Sequence, residues 1–188
     1  MSVVFTPQRR KLSADEFERM GQTGILGPDA RVELIEGEMI KMAPIGSRHA
    51  SAVSFLSAHF FRAVGDAALV WIQSPLRLSD DSEPQPDLML LRPSPDRYRS
   101  TLPRPEDVLL LIEVADTTLV FDRETKLPLY ASQGIQEVWI LDVDGKQLEI
   151  YREPGAGGYR RKLQRRETES IAPAALPTAA LQVGAVFA

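Results

Sequence analysis

Apolar positions change period along the chain, and the changes mark its elements. Near the start, Leu12, Phe17 and Met20 anchor a helical pattern, and Ser13 followed by Glu16 has capping-box spacing. Gly21, Gly24, Gly27 and Pro28 then break it. Val32 to Met42 alternates around Gly37, which predicts a hairpin. Over 47–64, Ala52, Phe55, Leu56, His59, Phe60 and Ala63 recur every three or four residues, the clearest helical signal, with Ser47 as N-cap and Gly65 as stop. Three strands follow: 69–78 with Pro75 as a bulge or edge, 87–91 after Pro84 and Pro86, and 108–114. The last is almost wholly apolar, as expected of a central strand covered on both faces. Between the second and third, 92–107 is rich in proline and charge and reads as a surface loop. A helix then runs from Asp122 or Thr125 to Gln133 and stops at Gly134. With Thr125 as N-cap, Pro128 costs no hydrogen bond, whereas a start at Asp122 demands a kink. Residues 137–143 form another strand, and Asp144-Gly145 turns it into 147–151.

The resulting order is helix, strand, strand, strand, helix, strand, preceded by a hairpin: a mixed α/β sheet with flanking helices. A single domain over 1–188 is expected, with a helical arm (1–30), a core (31–153) and a strand-like C-terminal extension (154–188). The 44% apolar and 26% charged residues fit a globular protein that buries one core. Met1 to Lys11 lacks an apolar targeting segment, and no stretch is long enough to span a bilayer, so a cytoplasmic location is the default.

Composition narrows the chemistry. With no cysteine, there is neither a disulfide framework, nor a thiolate metal site, nor a cysteine nucleophile. Two histidines cannot build a three-histidine site, which leaves carboxylates as the metal ligands. The 22 basic and 26 acidic residues give a net charge of −4, so no global field attracts nucleic acid. Any such binding needs a local patch, and Arg160, Arg161, Lys162, Arg165 and Arg166 are its candidates; the alternative is an edge strand protected by charge.

Glu113 is the informative acid. It closes the run Val108-Leu-Leu-Leu-Ile-Glu113-Val114, and an unpaired carboxylate there costs several kcal/mol or takes up a proton. Asp87 follows Pro86 at the start of another short apolar strand. Two carboxylates at neighbouring strand ends make a hard-oxygen site suited to Mg²⁺ or Mn²⁺. Lys126, on the next helix, can cross back to the same strand end, or else pair at the surface with Asp122. His59 reads as a core histidine, Trp139 and Tyr130 as packing groups.

The ordered set Glu33-Leu-Ile-Glu-Gly37-Glu, Ser47-Arg-His49, Pro86-Asp87-Leu, Leu111-Ile-Glu113-Val, Asp122, Lys126, Tyr130, Gly134 and Glu137-Val-Trp139-Ile-Leu-Asp142 resembles the Uma-two family of the PD-(D/E)XK restriction endonuclease-like superfamily. The resemblance covers about residues 10–152. It implies a restriction endonuclease-like fold and a divalent-metal-dependent endonuclease acting on nucleic acid, with DNA as the expected polymer and a homodimer as one arrangement. By the same resemblance, Asp87 is the "PD" acid, Glu113 the acid of the second motif, and Glu33 an additional acid on the hairpin. His49 sits where the family has a histidine at a helix start. Ala115 replaces the motif lysine, and Lys126 on the following helix takes that part. The alternative is a non-catalytic nucleic-acid-binding or assembly module on the same fold.

Overall fold

The structure, a computed structural model, describes residues 9–27 and 29–188. Residues 1–8, most of the stretch read for a targeting signal, and the helix-breaking Pro28 lie outside the described residues. Among the described residues no helix is long and apolar enough to cross a membrane.

Helix α1 (Ala14–Gln22) starts at the predicted cap: the Glu16 amide donates to Ser13 Oγ, and Glu16 accepts from the Ser13 amide at 3.0 Å. Strands β1 (Val32–Ile35) and β2 (Glu38–Lys41) form the predicted hairpin. Its turn needs positive φ at both Glu36 (49°) and Gly37 (79°), the geometry that matches strand twist. A Cβ on Gly37 would also stand 2.5 Å from Lys11 Cβ, so glycine lets the turn pass against the segment leading into α1. Helix α2 (Ser47–Val64) has the predicted limits, but its cap is Gly46, not Ser47. Ser47 is already helical, and a Cβ at 46 would approach Asp116 at 3.3 Å.

Six strands then build one sheet: β3 (Leu69–Ile72), β4 (Leu88–Leu91), β5 (Val108–Ala115), β6 (Glu137–Asp142), β7 (Gln147–Gly155) and β8 (Gly158–Arg166), in that order across the sheet. Only the β5–β6 pair is parallel, and the helical crossover between them makes it so. Strand β3 is shorter than the sequence suggests because Gln73 turns to φ 42°. The rest of that run, Leu76 and Leu78, is buried but bonds to loop residues such as Pro84 and Ser82.

The crossover begins earlier than expected, with α3 (Leu119–Phe121), widens into a π-helical turn over Asp122–Lys126, and continues as α4 (Leu127–Ser132). In that turn the Leu127 amide reaches back to the Asp122 carbonyl. Pro128 lacks the next amide and its ring crowds the preceding turn, and the wide turn absorbs both constraints without a break. A final two-stranded pair, β9 (Ser170–Ile171) with β10 (Leu181–Gln182), closes the chain.

Alternation along the strands sorts the core onto two faces. Leu88, Leu90, Leu110, Ile112, Trp139 and Leu141 pack beneath α2 and the C-terminal segment, where Leu176, Ala179 and Val183 are buried. Met89, Leu91, Leu111, Val138 and Ile140 pack with Tyr130 of α4 on the other face. The segment after 153 therefore does more than extend the fold: β8 joins the main sheet and the tail seals one core. Each fully buried Leu or Ile stabilises the sheet by roughly 1.5–3 kcal/mol, which makes β4, β5 and β6 a rigid floor.

Candidate active site

Register places the two expected acids side by side. Leu88 pairs with Ile112, so one step further Asp87 faces Glu113. Both point to the α3–α4 face, because residues 87, 89, 111 and 113 share a side of the pleat. Asp87 is fixed at both oxygens: the Val114 amide donates to Oδ2 at 2.8 Å, and Oδ1 lies 2.9 Å from His49 Nε2. Glu33 arrives from the hairpin. Its strand neighbours Val32 and Leu34 turn toward α1, which aims Glu33 at the opposite side, where it accepts from the Gln85 amide at 3.2 Å.

Lys126 sits between the acids and is buried, not surface-paired with Asp122. Its Nζ lies 3.0 Å from Glu33 and 3.2 Å from Glu113. Tyr130, one turn on, donates to the same Glu113 oxygen at 2.6 Å. Ala115 is buried on the Glu113 face and carries no ammonium, so the lysine beside Glu113 is the one from the helix. The structure thus brings together Glu33, His49, Asp87, Glu113 and Lys126 around one cavity. It does not bring the basic stretch there. Arg160, Arg161, Lys162, Arg165 and Arg166 lie on edge strand β8 and alternate between its two faces; Lys162 is 2.8 Å from Glu149 and Arg165 3.6 Å from Glu169.

From the sequence, Asp122 is a candidate helix start, a surface partner for Lys126 and one of the residues that carry the family resemblance, with no part in the site. The widened turn instead buries it to 3% exposure on the cavity wall, where Thr118 Oγ1 donates to Oδ2 at 2.6 Å. The available signal was a proline six residues after an acid, in a helix where Lys126 already had to face the sheet. Asp116 also lines the cavity, but Arg48 pairs with it.

The electrostatics are unbalanced. Five carboxylates, Glu33, Asp87, Glu113, Asp116 and Asp122, line the cavity against three cations, Arg31, Lys41 and Lys126, and the His49 imidazole. Burial pushes Glu113 up to about 8, opposed by Lys126 and reinforced by Asp122 and Asp87. Burial likewise raises Asp122 to about 6, against the pull of Lys126. Burial alone would lower Lys126, but Glu113, Glu33 and Asp122 outweigh it and hold the ammonium charged. The hydrogen bond to Asp87 raises His49 despite its partial burial. Among the described residues, His49 Nδ1 is buried without a partner.

Among the described residues, no three His, Cys, Asp or Glu side chains stand arranged as a ready-made metal cage. The donor set nevertheless fits a hard divalent ion. Mg²⁺ is commonly held by one or two carboxylates, with waters and substrate phosphate completing its shell, and two carboxylates face each other here beneath excess negative charge.

A family model described as "Putative restriction endonuclease", named Uma2, matches residues 14–184. Four solved chains match the fold. One, titled "a putative nuclease belonging to DUF820" from Anabaena variabilis ATCC 29413, superposes with a TM-score of 0.74 at 16% identity, over 94% of this chain and 97% of that one. At that identity the likeness establishes the restriction endonuclease-like fold. No curated protein matches.

Proposed function

We infer that this chain, which belongs to the Uma2 family, hydrolyses phosphodiester bonds of nucleic acid, with DNA as the polymer and Mg²⁺ or Mn²⁺ as cofactor. The observation that carries the reading is the facing pair Asp87 and Glu113 under an uncompensated negative charge, with Lys126 Nζ beside Glu113. Asp87 and Glu113 would hold the ion. When bound, it supplies Lewis-acid polarisation of a phosphoryl oxygen and a more acidic water.

The chain's own groups do the rest. The Val114 amide and His49 orient Asp87, so that its carboxylate needs little reorganisation. Lys126, locked between Glu33 and Glu113, stays protonated and offers fixed positive charge to the phosphate as negative charge builds in the transition state. Glu33 acts as its positioning partner, and Tyr130 holds the shared Glu113 oxygen. Asp122, with one oxygen satisfied by Thr118, is a further acid on the cavity wall. A pair of chains is not required by this arrangement, since one chain holds the whole cluster.

The rival reading, a non-catalytic binding module, is favoured by Lys126 and Tyr130 already occupying one oxygen of Glu113. Incubating wild type and Glu113→Gln with labelled DNA and RNA in Mg²⁺ and Mn²⁺ separates the two. Cleavage by wild type alone supports hydrolysis at this site; equal cleavage by both proteins, or by neither, rejects it.

A further inference from the structure

The carboxylates lie at the bottom of a walled cavity, and the walls carry information about substrate that the floor does not. One wall is the end of the β1–β2 hairpin and its exit, with Ile40, Met42, Pro44 and Ile45; the other is the crossover, with Phe121. The enclosed volume is about 350 Å³. That is at the small end of ligand pockets, about 9 Å across if compact. Glu33, Glu113, Asp122 and Lys126 are all at most 5% exposed at its floor.

We propose that this cavity takes one unpaired nucleotide of a flexible strand, so that the site selects single-stranded DNA, or an unpaired stretch, over intact duplex. The proposal rests on the nuclease reading above and specifies its substrate.

Three observations support it. Duplex DNA is stiff over about 150 base pairs and cannot fold a single phosphate down between two walls, whereas a single strand can. The wall groups include Ile40, Met42, Pro44, Ile45 and Phe121, whose ring centroid lies 5.9 Å from Lys126 Nζ; such apolar groups meet bases and sugars, which are free to make those contacts only when unpaired. Ile45, 45% exposed, adds an apolar lip at the mouth. Finally, the cationic track a duplex needs is missing from the cavity. Its lining offers Arg31 and Lys41 besides Lys126, while duplex binders of ordinary salt dependence neutralise about 6–10 phosphates. The basic residues of β8 stand three strand positions from β5, roughly 15 Å away, and are divided between two faces.

The test uses the full chain with Mn²⁺ and three labelled substrates of one sequence: a single strand, its blunt duplex, and that duplex with an internal unpaired stretch. Cleavage is expected in the single strand and within the unpaired stretch, about tenfold or more faster than in the blunt duplex. Phe121→Ala is expected to raise KM for the single strand about tenfold while changing kcat much less, and Phe121→Tyr to restore it. Anisotropy with the Glu113→Gln protein reads binding apart from chemistry, and its affinity for the single strand should fall with salt with a log–log slope near ~−2. Single-strand preference in binding without any cleavage would sustain this inference and reject the nuclease reading. Duplex bound or cut as well as the single strand, or a KM indifferent to Phe121→Ala, overturns the inference and leaves that reading intact.

Discussion

Two sites on the sheet bury carboxylates, Glu137 on one face and the cavity cluster on the other, and they treat them in opposite ways. Beneath α2, Glu137 is 2% exposed and completely served: Trp139 Nε1 and an Arg152 guanidinium nitrogen donate to one oxygen, and the Ala174 amide donates to the other, each at 2.7 Å. One charge meets one countercharge, and the arrangement staples the C-terminal segment to the sheet. On the opposite face Glu33 and Glu113 share Lys126, and with Asp87, Asp116 and Asp122 the cavity's acids outnumber its cations Arg31, Lys41 and Lys126. Buried charge that is matched and fully hydrogen-bonded serves structure; buried charge left in excess around a cavity is costly to the fold and is explained by a ligand that completes it.

The largest effect that distinguishes the faces is on catalysis. Glu113→Gln or Asp87→Asn should lower cleavage about a thousandfold, a loss of roughly 4 kcal/mol of transition-state stabilisation, with the denaturation midpoint held or raised because one of the excess charges is gone. A gel-based cleavage rate measured beside a urea titration checks both halves. Glu137→Ala should reverse the pattern. Arg152, with a side chain 18% exposed, would be left without its carboxylate, and stability should fall by about 3–5 kcal/mol while the rate per folded molecule holds. An equal loss of rate in this variant would dissolve the distinction.

A smaller effect is read in pH. Asp122 is raised by burial from 3.8 to about 6, so between those values the folded chain keeps a proton that the unfolded chain gives up. Its contribution is therefore fully present below about pH 4 and is lost as pH rises through about 6, by about 1–3 kcal/mol. Urea midpoints from pH 4 to 7 should decline more steeply in wild type than in Asp122→Asn. Parallel curves would show that Asp122 is not strained by its surroundings.

How much of this was legible in the sequence depends on whether the cause was local. The capping box at Ser13, the turn at Gly37 and the limits of α2 follow from side chains within a few residues of one another. The facing of Asp87 and Glu113 was also readable, because each sits at the end of an apolar run and such runs pair. The π-turn was not: it follows from Pro128 together with the need for Lys126 to reach Glu113 across the sheet, and only the second condition decides between kink, break and widening. Asp122 was missed as a result. At the Gly46 cap a side chain would crowd Asp116, seventy residues later, a contact no local pattern reveals. The structural acids did leave a local trace. Glu137 and Glu149 each have an aromatic donor two residues on, on the same strand face, and Trp139 and Tyr151 donate to them at 2.7 Å. An acid followed at the second position by Trp or Tyr in an apolar strand is thus a sign of a satisfied carboxylate; Glu113, followed there by Ala115, lacks it.

The central claim is that the Asp87–Glu113 face holds a divalent cation because its charge is uncompensated. Calorimetric titration of Mn²⁺ into wild type, Glu113→Gln and Glu137→Gln tests it most directly. The account predicts saturable heat in wild type, its loss in Glu113→Gln and its retention in Glu137→Gln. Heat that survives Glu113→Gln unchanged, or is absent from wild type, would contradict it.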